Sequence, residues 1–157
     1  MRRAILVLLL LAAPGVHAQA RTYRLDPVHC QVLFFVSHLG FSRQVGRFTG
    51  VSGRFVVDPA DWSSATVEAS IAVDSLWLGD AAWQRKVLSD DFLDAARHPT
   101  MQFRSERIEA TGGERARVHG TLNLHGVSRP VALELVRNRV GRNSFNLKQT
   151  AGFSART

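Results

Sequence analysis

Val67-Glu68-Ala69-Ser70-Ile71-Ala72-Val73-Asp74 alternates residue by residue, with Val67, Ala69, Ile71 and Val73 on one side and Glu68, Ser70, Ala72 and Asp74 on the other. Successive side chains of a β-strand point to opposite faces, so this stretch reads as a strand with one face in a core and the other mostly wet. That pattern belongs to antiparallel sheets, because parallel strands are buried on both faces and lose the alternation.

Upstream, Val32, Phe34, Val36 and His38 share one face of a second strand, and Leu33, Phe35 and Ser37 share the other, so both of its faces are largely apolar. Further strands are expected at Gly53–Asp58, Thr100–Ser105, Arg107–Ala110, Ala116–Leu124, Pro130–Arg137 and Ser144–Phe153. Clusters of Gly, Pro, Asp and Ser separate them: Asp58-Pro59 with Asp61-Trp62-Ser63-Ser64, then Thr111-Gly112-Gly113, then Gly126-Val127-Ser128-Arg129-Pro130. Short strands at regular spacing imply an antiparallel sandwich or barrel. One region departs from the period of two. Between about Trp83 and Ala96, Val87, Leu88, Phe92 and Ala95 recur at near-helical spacing, with Ser89 suited to cap the second part and Pro99 to end it.

Ahead of the first strand, Met1-Arg2-Arg3 precedes an unbroken apolar run from Ala4 to Ala13. A run of about ten residues is half of the roughly 20 that span a bilayer, so a secretory signal peptide over residues 1–20 is expected and a transmembrane anchor is not. The small residues of Ala18-Gln19-Ala20 place the mature domain at residues 21–157, with cleavage after Ala18 as the alternative. Removing the leader takes away Arg2 and Arg3 and no acid, so the formal net charge falls from +7 to +5. The basic residues are dispersed, with no run of five or six, and nucleic acid is not an expected partner. Cys30 is the only cysteine, which excludes an intramolecular disulfide; on a strand it reads as a small buried apolar residue. A mature chain of this size can hold together on its core alone.

Catalytic chemistry has no positive sign. There is no G-x-S-x-G elbow, and Asp90-Asp91 are explained by the dipole of a helix start. Gly46, Gly50 and Gly53 lead into a strand and so form no phosphate loop. His29, His38, His98, His119 and His125 make no compact ligand motif; His119 and His125, on an ideal strand, would stand about 20 Å apart. Neither a metal nor another cofactor is therefore expected. The aromatic residues Phe34, Phe48, Phe55, Phe103, Phe145 and Phe153 fit either a filled sandwich core or the lining of a barrel for an apolar ligand.

Longer stretches bear on that choice. Tyr23-Arg24-Leu25-Asp26-Pro27-Val28-His29, His38-Leu39-Gly40-Phe41-Ser42, Leu88-Ser89-Asp90-Asp91-Phe92-Leu93-Asp94, His98-Pro99-Thr100-Met101-Gln102-Phe103-Arg104-Ser105 and Gly120-Thr121-Leu122-Asn123-Leu124-His125-Gly126-Val127-Ser128-Arg129-Pro130-Val131 follow one another in order. In sequence and spacing they resemble the YceI-like family of periplasmic, lipocalin-like proteins. The resemblance implies a mainly β fold, an antiparallel lipocalin-like β-barrel with one or two short helices, around a tunnel for a polyisoprenoid or similar long-chain lipid. It also implies a Gram-negative periplasmic, non-catalytic binding protein. A second copy of the chain is a further expected partner.

By alternation, the expected apolar lining is Val32, Phe34, Val36, His38, Phe48, Phe55, Ile71, Val73, Phe103, Leu122, Leu124, Leu133 and Leu135. His38 reads either as a buried histidine bonded to backbone or as a polar contact at the ligand's end. Arg85 and Lys86 suit a solvated basic patch better than a headgroup site. Gln84-Arg85 and Val87 stand where many relatives carry an Arg-Asp pair and a His. The family's closing turn and further strand are expected beyond Ala151–Thr157, so the barrel is expected to be incompletely closed and the chain less stable than a longer relative.

Overall fold

The computed structural model describes residues 20–58 and 61–157; the expected signal peptide, Ala20 apart, and the Pro59 turn lie outside the described residues. The alternating residues Val67–Ala72 belong to β5, Asp61–Ala72, which lies inside a seven-stranded antiparallel sheet. Its neighbours are β4 (Val51–Asp58) and β7 (Thr100–Gly112). Beyond β4 lies β1 (Arg21–Arg24); beyond β7 follow β8 (Arg115–Leu124), β9 (Val127–Arg142) and β10 (Gln149–Arg156). A smaller sheet joins β2 (Val32–His38), β3 (Ser42–Phe48) and β6 (Leu76–Trp77) in the order β2-β3-β6. Together the strands make a nearly closed, barrel-like antiparallel sheet with one short helix, α1 (Ala81–Leu88).

Strand alternation carries through to packing. Val51, Phe55, Ile71, Met101, Phe103, Val118 and Ala116 are buried, while their sequence neighbours Ser52, Arg54, Gln102, Arg104 and Arg117 are exposed or half-buried. Two clusters fill the interior. Phe48, Val51, Ile71, Val73, Leu76, Leu78 and Met101 form the first, covered by Trp83, Val87 and Leu88 of α1. Phe55, Val57, Ala65, Phe103, Ile108, Ala116 and Val118 form the second, flanked by Tyr23, Leu122, Leu133, Leu135 and Phe153. Half-buried Cys30 packs on the first cluster.

Several boundaries differ from the sequence expectation, each for a local reason. Thr100–Gly112 is one strand because a β-bulge absorbs Glu106: Ser105 pairs with Gly120, and the next residue in register is Arg107, opposite His119. One extra residue reverses the facing, so the inward positions pass from Phe103 and Ser105 to Ile108, which breaks the period of two without ending the strand. The Ser105 hydroxyl compensates by accepting from the Val67 amide at 2.8 Å. β3 was not foreseen, because Ser42, Arg43, Gln44 and Gly46 give it no strong alternation; its pairing with β2 defines it. Residues 61–64, expected in a turn, lie in β5.

The helix is shorter and earlier than expected. Asp80 caps it, accepting from the Trp83 amide at 2.8 Å, and Ser89 closes it by donating its hydroxyl to the Lys86 carbonyl. Residues 91–97 then run through tight turns. Val73 leaves the strand pattern for a 3-10 turn, Val73–Ser75, where its amide donates to the Pro99 carbonyl. Ser144–Lys148 is a connection, not strand: the Asn143 and Asn146 side chains accept from the amides of Phe145 and Lys148, a local alternative to ladder bonding.

Candidate functional site

Pairing across the large sheet sorts its residues into rows. On the inner face Gly53, Ala69, Phe103 and Leu122 follow one another across four strands, and Ile108, Val118 and Leu133 form a parallel row. A third row runs Ala110, Ala116, Leu135 and Ala155. Leu122, Val131, Leu133, Leu135 and Phe153 are only half-buried, so the apolar surface continues past the closed core toward β9 and β10.

The outer face of the same strands is polar. Arg24, Arg54, Glu68, Arg104 and Thr121 form one row, with Ser52, Ser70, Gln102 and Asn123 beside it. Glu68 meets Arg54 at 2.8 Å and Arg104 at 3.5 Å. An open groove of about 1000 Å³ lies here, lined by both rows. Its wall is charged, so a hydrocarbon laid against it would leave guanidinium and carboxylate groups unsolvated.

Ten of the thirteen expected lining residues fall into the two clusters. Val32, Phe34, Phe48, Ile71 and Val73 join the first, where the Phe34 and Phe48 rings lie 5.4 Å apart. Phe55, Phe103, Leu122, Leu133 and Leu135 join the second, where Phe55 meets Phe153 edge-on at 5.0 Å. Val36, His38 and Leu124 belong to neither and are exposed; His38 is not a buried histidine. The side of β2 expected to be a second apolar face carries Leu33 and Phe35, both largely in solvent, with Arg43 over the Phe35 ring.

Three of the family-like stretches meet at one corner of the barrel. Asp94, at the end of the Leu88–Asp94 stretch, lies one helical turn before His98, whose amide donates to the Asp94 carbonyl at 2.8 Å. The β8–β9 hairpin turns on His125-Gly126, between the paired residues Leu124 and Val127. Both turn residues have positive φ, 54° and 75°, the geometry of a two-residue turn matched to the twist of the strands. Space at Gly126 is tight as well, since a Cβ there would stand 3.0 Å from the His98 ring. The imidazoles of His98 and His125 lie 4.4 Å apart, and a ligating atom from each of Asp94, His98 and His125 falls within 4.8 Å of the others. Sequence reasoning had these three residues in separate motifs; the one-turn spacing of Asp94 and His98 was the only local sign that two of them share a side.

Residues 23–157 match the family model of the YceI-like domain. The chain belongs to the YceI-like family. A UPF0312 protein of Pseudomonas putida strain W619 is 34% identical over 142 residues, covering 89% of this chain and 73% of the relative. A UPF0312 protein of Vibrio cholerae is 32% identical over 142 residues, covering 89% and 75%. Among solved structures, Burkholderia cenocepacia BcnA superposes with a TM-score of 0.68 at 26% identity, over 74% of this chain and 73% of that one. The Campylobacter jejuni YCEI protein superposes with a TM-score of 0.67 at 28% identity, over 85% and 77%. In this YceI-like chain the opening Asp26-Pro27-Val28-His29 motif forms a compact turn. Asp26 accepts from the Val28 amide at 2.9 Å and faces His29 Nδ1 at 2.8 Å, and the side-chain bond to His29 leads the effects that hold its carboxyl below the ordinary range.

Proposed function

We propose that this YceI-like protein binds a long-chain apolar lipid, a polyisoprenoid or a close chemical relative, without catalysis, along the inner face of its large sheet. The observation that carries the reading is the half-buried apolar surface of Leu122, Val131, Leu133, Leu135 and Phe153, continuous with the buried Phe55 and Phe103. A hydrocarbon laid there gains about 0.8 kcal/mol for each CH₂ removed from water, so a few isoprene units supply affinity with no reactive group. Phe34, Val32, Phe48, Ile71 and Val73 continue the lining under α1, while Val36, His38 and Leu124 stand at its exposed margins. The reading includes export to the periplasm by a signal peptide at Met1–Ala20, which the apolar run from Ala4 to Ala13 after Arg2-Arg3 supports.

Extraction of the purified protein with organic solvent, followed by mass spectrometry, tests the reading. One prenyl lipid per chain is the expected result. Recovery of no lipid, together with no saturable uptake of an added C40–C60 polyprenol, would leave the inner face as filled core and overturn it.

A further inference from the structure

The corner formed by Asp94, His98 and His125 is explained neither by the core nor by a lipid site. Asp94 is 3% exposed, the only buried charged residue among those described. It sits at a φ of 45°, and His125 at 54°, left-handed conformations that side chains other than Gly adopt seldom. His98 and His125 have no hydrogen-bond partner for their ring nitrogens among the described residues. A carboxylate and two imidazoles thus face one another.

We propose that Asp94, His98 and His125 form a binding site for a divalent transition-metal ion of the zinc class. Two neutral imidazoles and one carboxylate are a donor set that suits Zn²⁺ and neighbouring first-row ions. At bond lengths of about 2.0–2.1 Å, ligands on one tetrahedral ion stand roughly 3.3 Å apart, and the cluster reaches that spacing from its 4.8 Å limit by small torsions of the half-buried His98 and exposed His125 side chains toward the buried Asp94. Asp94 accepts from Arg97 Nε through Oδ2 at 2.5 Å. A carboxylate has two oxygens, and Arg97, with 76% of its side chain in solvent, can orient the carboxylate or withdraw at little cost. Three protein ligands leave a position for water. The ion would tie the β8–β9 hairpin to the segment that leads into β7, closing one corner of the barrel.

The test is equilibrium dialysis of the full protein against micromolar ZnCl₂ with metal analysis, supported by the visible absorption of a Co²⁺ complex. One ion per chain is expected. His98→Gln and His125→Asn should each weaken Zn²⁺ binding at least about tenfold, because even outer-sphere changes cost that much, and the double variant should abolish it. His125→Asn keeps folding intact, since Asn-Gly is the preferred pair for this turn. Zn²⁺ should raise the Tm of the parent and leave that of His125→Asn unmoved. His29→Gln and His119→Gln, at histidines paired with Asp26 and Glu109 outside this corner, should bind as the parent does. No stoichiometric Zn²⁺, or undiminished binding by the double variant, would overturn the site.

Discussion

Replacing Gly46 by Ala tests the packing that holds β2 onto the rest of the barrel. Phe34 and Gly46 are paired across β2 and β3, and a Cβ on residue 46 would lie 2.2 Å from Phe34 Cζ and 2.8 Å from Leu78 Cδ2. The ring cannot stay. Turned away, it loses its contact with Phe48, about 0.5–1.5 kcal/mol for an aromatic pair. It also loses much of its burial; Phe34 is half-buried, so roughly 1 kcal/mol of the 1.5–3 kcal/mol for a full side chain is at stake. Against this, Ala is favoured over Gly inside a strand by about 0.5–1 kcal/mol. With a small shift of Leu78 added, Gly46→Ala should destabilise by about 1–2 kcal/mol.

A double-mutant cycle isolates the cause. In a Phe34→Ala background the obstructing ring is gone, so Gly46→Ala should cost close to nothing, a coupling of at least about 1 kcal/mol. Urea unfolding followed by Trp fluorescence measures all four proteins. Additivity within about 0.3–0.5 kcal/mol would refute the reasoning, because it would mean that the ring over Gly46 is not what residue 46 must avoid.

Val118 is 1% exposed at the middle of the second cluster, and Val118→Ala should cost about 2 kcal/mol in urea unfolding from lost burial and the cavity left behind. Leu133→Asn, on the half-buried inner face, should lower affinity for an added polyprenol about 10- to 100-fold, the worth of one buried apolar side chain, whereas Gln102→Ala on the outer face should leave it unchanged. Glu114, hydrogen-bonded to the Arg137 guanidinium, is held below its ordinary 4.5. A depressed carboxyl stabilises the fold above its unfolded pKa, and that contribution is lost as pH falls through the folded value. Glu114→Gln should therefore lower the Tm at pH 7 and make no difference well below pH 4.5, as thermal melts across pH would show.

Much of the architecture is legible in short-range pattern. Val67–Ala72, Gly53–Asp58 and Ala116–Leu124 lie in the strands expected of them because alternation is a property of a single strand facing a core on one side. The family-like stretches, read in order, pointed to the barrel that the sheet adopts. Patterns failed where the period itself was interrupted. The bulge at Glu106 made one strand resemble two, and β3 lacked an apolar side strong enough to show before β2 was laid against it.

The candidate lining shows the same division. Alternation alone placed Phe55, Phe103, Leu122, Leu133 and Leu135 together, but it could not tell that Val36, His38 and Leu124 lie in no cluster, since burial at a strand's end depends on what crosses it. By itself, then, the sequence determined the antiparallel β class, the facing of strands such as Val67–Ala72 and Ala116–Leu124, and the family, whereas the turn expected over Gly126–Pro130 is a tighter hairpin at His125-Gly126 with Val127–Pro130 already in β9. Tertiary structure alone decided that Asp94, His98 and His125 share one corner. Residues 27 to 31 positions apart become neighbours only when strand register and hairpin geometry are set, and those are properties of several segments at once.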